Sequence, residues 1–250
     1  MMNATSHQAV SCAIDNFDQM SKEDLTDTIK RSTYIGLAHP IYGADMPPIM
    51  KEFACLLMDI IKSEKIPAKP FYIINTFGYV NAFGPFAAQK LLSKDCFALK
   101  AYCNIRLCNN VSTHSHSAAP ITEEELSIRK QRAIVELSKL IQDILSCKKH
   151  IEGIGPYLLP GIIIRKLSRK NVKNHYQELS VQASTCTGCM LCVRKCPTNS
   201  ISYADGKFLF SDKCTACMRC YNFCPTASVL INARFTDPQK YFRYRGPDQS

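Results

Sequence analysis

Short apolar runs and helically spaced apolar residues alternate along the first 147 positions. Residues 34–38, 71–74 and 96–105 are apolar runs bounded by polar or loop-forming residues, the pattern of strands buried in a sheet. Residues 75–84 contain two glycines and are predicted to form a loop after the second run. The pattern therefore predicts three buried strands.

Each predicted strand is followed by a segment with apolar residues at helical spacing. Pro47 and Pro48 open the first of these segments, and a second lies at about residues 85–92. Thr122 and Glu125 form a capping box for a third, which extends to about Cys147. The apolar face of this third helix comprises Leu126, Ala133, Leu137, Leu140, Ile141 and Ile144.

Strands that alternate with helices pair in parallel and carry helices on both faces of the sheet, so residues 1–147 are predicted to form an α/β domain. Charge divides the chain in two. Residues 1–146 hold 15 Lys and Arg against 15 Asp and Glu, whereas residues 147–250 hold 16 against 6. We predict a basic linker at 148–184, a second domain at 185–236 and a tail at 237–250.

The composition, with 46% hydrophobic and 21% charged residues, is that of a folded chain and excludes disorder or a collagen-like structure. The first 20 residues lack a basic start followed by an apolar run, so no secretory signal is expected and the cytoplasm is the expected location. Residues 153–164 are uncharged but too short to span a membrane.

The strongest feature is an internal repeat of cysteines. The segment CTGCMLCVRKCPTNSI begins at Cys186, and CTACMRCYNFCPTASV begins 28 positions later at Cys214, with nine of 16 aligned positions identical. Each copy has the form C-x-x-C-x-x-C-x-x-x-C-P. Three thiolates on one tight loop can bind three irons of a cubane cluster, so the fourth ligand comes from elsewhere.

Two other uses of these cysteines explain the spacing less well. Zinc sites usually have two separated C-x-x-C pairs. Neither zinc sites nor disulfides account for a third and fourth cysteine at fixed spacing in both copies. Iron–sulfur clusters are therefore the predicted cofactors.

Through these motifs, residues 180–235 resemble bacterial-type ferredoxins that hold two [4Fe-4S] clusters. In such ferredoxins the cysteine before proline crosses to the other cluster. The resemblance therefore implies two ligand sets. They are Cys186, Cys189, Cys192 and Cys224 for one cluster, and Cys214, Cys217, Cys220 and Cys196 for the other.

The motifs HPIYG at residues 39–43 and NTFG at 75–78 each follow a predicted strand, where ligands of open α/β sheets lie. Residues 8–147 look like a flavodoxin, and the whole chain resembles flavodoxin–ferredoxin fusion proteins of anaerobes. The resemblance implies FMN as a cofactor. It places Tyr42, followed by Gly43, beside the flavin ring, and Thr76, Phe77 and Gly78 at the pyrimidine edge of the flavin.

The sequence departs from flavodoxins near its N-terminus. Flavodoxins begin with a strand and a Gly-containing Ser/Thr loop that binds the FMN phosphate at a helix N-terminus, but no glycine precedes Gly36 here. Aligning residues 8–18 with the second flavodoxin strand leaves the first strand missing. Either the chain is truncated or its N-terminal residues fill the gap without the loop. We therefore expect an N-terminally incomplete flavodoxin-like domain that binds FMN weakly.

The predicted function is that of a soluble electron carrier, which exchanges electrons with redox partner proteins and with FMN if FMN binds. A flavin-dependent reductase and an iron–sulfur subunit of a larger oxidoreductase are alternatives, although no acid, base or nucleophile constellation indicates an enzyme. No nucleic-acid motif accompanies the basic residues. Residues 155–170 are expected to pack between the domains, with contact to a membrane surface as the alternative.

Overall fold

The computed structural model describes residues 20–114, 121–154 and 158–245. Residues 8–18, aligned above with a flavodoxin strand, lie outside the described residues. The helices are α1 (Lys22–Arg31), α2 (Pro48–Ser63), α3 (Pro85–Leu91), α4 (Glu123–Leu145), α5 (Leu158–Asn174), α6 (Leu191–Arg194) and α7 (Arg219–Phe223), with a 3-10 turn at His175–Glu178. The strands are β1 (Ile35–Pro40), β2 (Lys69–Phe77), β3 (Phe97–Arg106), β4 (His150–Ile151), β5 (Leu179–Val181), β6 (Ile201–Ala204), β7 (Lys207–Phe210) and β8 (Val229–Ile231).

Four parallel strands form the main sheet in the order β1-β2-β3-β4. Ala38 pairs with Ile74 and Ile74 pairs with Cys103, so the three apolar runs lie side by side. Within the described residues, no strand pairs with the outer edge of β1. The predicted parallel α/β layout is confirmed for the part of the chain that the structure describes.

Helices cover both faces of this sheet. On one face, α1, α2 and α3 share a core with Leu37, Phe71 and Tyr102. On the other face, α4 packs Ala133 and Leu140 against residues of β3 that include Cys103. Successive side chains of a strand point to opposite faces, so Tyr102 and Cys103 belong to different layers.

The predicted helix starts agree with the structure. The hydroxyl of Thr122 accepts a 3.1 Å hydrogen bond from the Glu125 N–H, and α2 begins at Pro48. The predicted apolar face of α4 is too wide, because Ile141 is 55% exposed while its neighbour Leu140 is buried. Adjacent helical residues point about 100° apart, so only one of the two can face the sheet.

Four helices were not predicted from the sequence: the longer α1 and α5, and the short α6 and α7. Ser21 caps α1, which buries Leu25 and Ile29 at a four-residue spacing. The segment predicted as a linker, 148–184, contains β4, α5 and β5. Part of it belongs to the α/β unit and part to the cysteine-rich unit, because β4 pairs with β3 whereas β5 pairs with β8.

The cysteine-rich unit is built from two small antiparallel pairs, β5 with β8 and β6 with β7. Its core contains Leu179, Met218, Tyr221 and Val229. The predicted tail packs onto this unit. The Arg243 guanidinium lies 3.4 Å from the centre of the Tyr221 ring, and its Nη2 donates to the Thr236 carbonyl.

No helix in the described part of the chain is long and apolar enough to cross a membrane.

Candidate iron-sulfur site

The two cysteine loops have the same backbone shape. Three pairs of equivalent positions have positive φ, a conformation that residues other than glycine seldom adopt. The pairs, each 28 positions apart, are Gly188 and Ala216, Met190 and Met218, and Asn199 and Ala227. The repeat found in the sequence is therefore also a repeat in conformation.

The cysteines before proline, Cys196 and Cys224, have equivalent hydrogen bonds. The Ser200 N–H donates to Cys196 Sγ over 3.3 Å, and the Ser228 N–H donates to Cys224 Sγ over 3.2 Å. Burial acts to raise the pKa of both thiols, but hydrogen bonds from Ser200 to Cys196, and from Thr226 and Ser228 to Cys224, lower it overall. A lowered pKa favours the thiolate, the form that binds metal.

Cys196 belongs to the first copy of the repeat but lies among the cysteines of the second. One cavity is lined by Cys196, Cys214, Cys217 and Cys220. Burial, and then negative charge on neighbouring thiols that include Cys196, raises the pKa of Cys214, Cys217 and Cys220. Four partly buried thiolates without a cation would repel one another, so this cavity suits a group that supplies positive metal ions.

Cys224, the last cysteine of the second copy, interacts electrostatically with Cys192 of the first copy. Burial is the main cause that raises the pKa of Cys192, and the thiols of Cys224 and Cys186 add to the increase. Cys189 is exposed to solvent on the same loop. The structure thus brings the last cysteine of each copy to the other copy.

The thiols of the repeat do not form a preformed tetrahedral zinc site among the described residues. A tetrahedral zinc with Zn–S bonds of about 2.3 Å holds its sulfurs about 3.8 Å apart. Among the described residues, which include all eight cysteines of the repeat, no three of these thiols lie within 4.8 Å of one another.

The two loops differ in their surroundings although their sequences are alike. Thr187 and Cys189 of the first copy are exposed, whereas Thr215 and Met218 of the second copy are only 4% and 5% exposed. The second copy is covered by the α/β unit. Burial first, and then the charge of Cys217, raises the pKa of Tyr42 in the loop after β1 to about 12.

A cleft of about 480 Å³ lies between the two units. Its walls come from the loop after β1, the start of α2, the end of α5 and the second cysteine loop. The lining residues include Tyr42, Gly43, Met46, Ile49, Lys51, Arg169, Val172, Lys173, Lys213, Cys214 and Thr215. A ligand of this cleft would therefore lie beside a predicted cluster ligand, Cys214.

Asp45 fixes α5 against the loop after β1. Its buried carboxylate accepts from Lys51 Nζ over 2.6 Å and from the Nε atoms of Arg165 and Arg169 over 2.7 Å each. Burial acts to raise the pKa of Asp45, but the cations outweigh it and the pKa is lowered. Burial also lowers the pKa of Lys51, and the nearby carboxylate offsets only part of that effect.

The five predicted flavin residues lie in two segments, the loop after β1 and the end of β2 with Gly78 directly after it. Tyr42 and Gly43 line the cleft, but Thr76, Phe77 and Gly78 are not among its lining residues. The prediction that Thr76 and Phe77 lie in a loop is wrong, because both continue strand β2. There the Thr76 carbonyl accepts a hydrogen bond from the Ile41 N–H over 2.8 Å.

Gly78 has a packing role in the structure. A Cβ atom at this position would lie 2.6 Å from Asn109 Cα, so only glycine allows the two chain segments to approach so closely. The Asp45 network and the role of Tyr221 were not predicted, because no local pattern marks residues whose partners are over 100 positions away.

Comparison with known proteins gives one assignment. Residues 178–225 match the family model of the 4Fe-4S dicluster domain, a span that contains all eight cysteines of the repeat. The match covers 48 of the 250 residues and none of the α/β sheet. No curated protein matches the chain. The cysteine-rich unit is therefore an iron–sulfur domain with a role in electron transfer.

Proposed function

We propose that the chain is a one-electron carrier that holds two [4Fe-4S] clusters with crossed ligands. The position of Cys196 carries this proposal, because this first-copy cysteine lines one cavity with Cys214, Cys217 and Cys220. The electrostatic interactions of Cys192 with Cys224 and with Cys186 support the second set. We name the sites by their ligands: site A comprises Cys186, Cys189, Cys192 and Cys224, and site B comprises Cys214, Cys217, Cys220 and Cys196.

The two sites have different partners. A bound [4Fe-4S] cluster takes up and releases single electrons. At site A, exposed Thr187 and Cys189 leave the loop open to a docking protein. At site B, buried Thr215 and Met218 exclude water and place the loop against the α/β unit. We therefore propose that external redox proteins exchange electrons at site A and that site B serves a group held beside the α/β unit.

Iron content tests the proposal directly. Protein purified without oxygen should contain about eight irons per chain, four for each cubane. Dithionite should bleach its absorption at about 400 nm, a region where such clusters absorb. About four irons per chain would contradict the second cluster, and stoichiometric zinc without iron would contradict both.

A second candidate function is electron exchange with FMN bound to the α/β unit. The cleft favours it, because Tyr42 lies there near site B and Lys173 and Lys213 offer ammonium donors to a phosphate, although Glu52 and Asp212 line the same cleft. The contacts missing at residues 76–78 predict weak binding, since each ring contact contributes only about 1 kcal/mol.

Titration of the cluster-loaded protein with FMN tests this candidate. Quenching of flavin fluorescence should occur only at high protein concentration and should weaken further in Tyr42→Leu. Tyr79→Leu is the matched control, because Tyr79 is 60% exposed and does not line the cleft. Equal FMN binding by both variants would show that FMN does not bind in the cleft.

Experiments can distinguish an electron carrier from the two alternative functions, a reductase and a subunit of a larger oxidoreductase. A reductase would convert an organic substrate catalytically with a supplied electron donor, whereas a carrier would pass single electrons to protein or inorganic oxidants and convert no such substrate. A subunit of a larger oxidoreductase would copurify with a second protein in a fixed ratio.

A further inference from the structure

Three side chains that can bind metal converge on the α4 face of the main sheet, away from the cysteine repeat. They are Cys103 on β3, His150 on β4 and Glu152 just after β4. Ala101 pairs with His150, and the Glu152 N–H donates to the Tyr102 carbonyl over 3.0 Å. Because alternate residues share a face, this register puts all three side chains on one side of the sheet.

The distances among these groups are short. The Cys103 Sγ atom, one ring nitrogen of His150 and one carboxylate oxygen of Glu152 all lie within 4.8 Å of one another. His150 Nε2 is 3.2 Å from Glu152 Oε1. Among the described residues, this is the one group of three such side chains with that spacing.

These distances are close to those around a tetrahedral zinc ion. Ordinary zinc–ligand bond lengths put a histidine nitrogen and a carboxylate oxygen about 3.4 Å apart, and a thiolate sulfur about 3.6 Å from either. The nitrogen and oxygen already have this separation. The thiol would move by no more than about 1.2 Å, from at most 4.8 Å to about 3.6 Å.

Hydrogen bonds orient two of the three groups for this purpose. On α4, Asp143 Oδ2 lies 2.8 Å from His150 Nδ1, which leaves Nε2 directed at Glu152. The Asn104 N–H donates to Glu152 Oε2 over 2.7 Å, which leaves Oε1 directed at His150 Nε2, where a metal ion would be bound by both atoms. A carboxylate on the remote nitrogen of a histidine is a common support for zinc ligands.

Burial decreases from Cys103 towards solvent. Cys103 is fully buried, the His150 side chain is 11% exposed and the Glu152 side chain is 37% exposed. Water can therefore reach a metal ion from the Glu152 side. Three protein ligands and one water form an open zinc site.

We propose that Cys103, His150 and Glu152 bind one Zn²⁺ ion, with water as the fourth ligand. On binding, the Cys103 thiol releases its proton to solvent and a sulfur–zinc bond forms. The two negative ligands then balance the two positive charges of the ion. The site links β3 to the segment after β4, and Asp143 of α4 supports it.

The test uses protein that carries its iron–sulfur clusters, incubated with Zn²⁺ and then passed over a chelating resin. Zinc and iron are measured in the same sample. We expect about one zinc per chain in addition to the iron. X-ray absorption at the zinc K-edge should show one sulfur at about 2.3 Å together with nitrogen and oxygen ligands.

Substitutions of the proposed ligands test which residues bind the Zn²⁺ ion. Cys103→Ala and Glu152→Gln should abolish zinc retention, and Asp143→Ala should weaken zinc affinity by about 10- to 100-fold. Cys96→Ala is the matched control, because Cys96 is an equally buried free cysteine outside the group. Glu152→Gln keeps the shape of the side chain, so it tests the site even if Cys103→Ala fails to fold.

Three results would overturn the zinc site. One is full iron content with no zinc, in which case His150 is only paired with Asp143 and Glu152. Another is zinc with sulfur ligands alone, which would place the ion on the cysteines of the repeat. The third is zinc retention unchanged in Glu152→Gln. Iron is counted separately, so loss of iron would contradict the electron-carrier proposal and not this one.

Discussion

The Tyr221 hydroxyl donates a 2.8 Å hydrogen bond to the Ser112 carbonyl, and this contact joins the iron–sulfur domain to the α/β unit. Tyr221 is fully buried and follows Cys220 directly. The next residue repeats the connection, since Asn222 Nδ2 donates to the Asn110 carbonyl over 2.9 Å. The helix that begins at the second cysteine loop is thus anchored to the segment after β3.

Loss of the Tyr221 hydroxyl should loosen this junction. We expect Tyr221→Phe to lower the free energy of unfolding by about 1 kcal/mol, because the buried Ser112 carbonyl loses the Tyr221 donor. Thermal unfolding of the cluster-loaded protein measures the change. Tyr203→Phe should have little effect, because Tyr203 is 48% exposed. Equal effects of the two variants would show that the hydrogen bond contributes nothing.

Substitution of Asp45 should lower the free energy of unfolding more than substitution of any other charged residue outside the cysteine repeat. Asp45→Asn leaves Lys51, Arg165 and Arg169 around an uncharged side chain, and we expect a loss on the order of 3 kcal/mol in unfolding free energy. Denaturant unfolding at pH 7 measures it. The exposed Asp59 on α2 provides the matched control, Asp59→Asn, for which we expect no measurable loss.

The Asp45 contribution should depend on pH in a defined direction. The pKa of Asp45 in the folded chain lies below its ordinary value of 3.8. Stability from the ionised carboxylate is therefore fully present above pH 3.8 and is lost as pH falls through the lower folded-state pKa. The difference between wild type and Asp45→Asn should shrink below pH 3.8. A difference that grows there would contradict the lowered pKa.

Substitution of the cysteines before proline should damage the site of the opposite repeat. Cys196→Ala should impair the cluster bound by Cys214, Cys217 and Cys220, and Cys224→Ala should impair the one bound by Cys186, Cys189 and Cys192. Electron paramagnetic resonance of the reduced variants, with iron counts, identifies the cluster that is lost. Loss of the cluster nearest in sequence would refute the crossed assignment.

A negative charge near site A should speed electron transfer to a small cationic oxidant. Thr187→Asp should raise the rate of oxidation by hexaammineruthenium(III) about twofold at low ionic strength, since opposite charges attract. Added salt should remove the effect. Ser138→Asp makes the same charge change on the exposed side of α4 and should leave the rate unaltered. Equal acceleration by both variants would show that electrons do not leave the protein through site A.

Local patterns were sufficient to predict three strands of the main sheet, three helices and the iron–sulfur character of the cysteine repeat. Apolar periodicity and the Thr122 cap act between residues a few positions apart, so β1, β2, β3 and α4 follow from the sequence. The 28-residue repeat likewise predicts an iron–sulfur domain from the spacing of its cysteines alone. Ligands on one tight loop need no distant residue to bring them together.

Only the tertiary structure decided how the two units meet. Thr187 and Thr215 occupy the same place in the repeat, yet one is exposed and the other is 4% exposed. Asp45 and Arg165 are 120 positions apart and no local signal links them. Burial and ion pairing between distant segments depend on how whole elements dock, so the sequence by itself determined the chemistry of the cysteines, and packing determined which of their loops faces solvent.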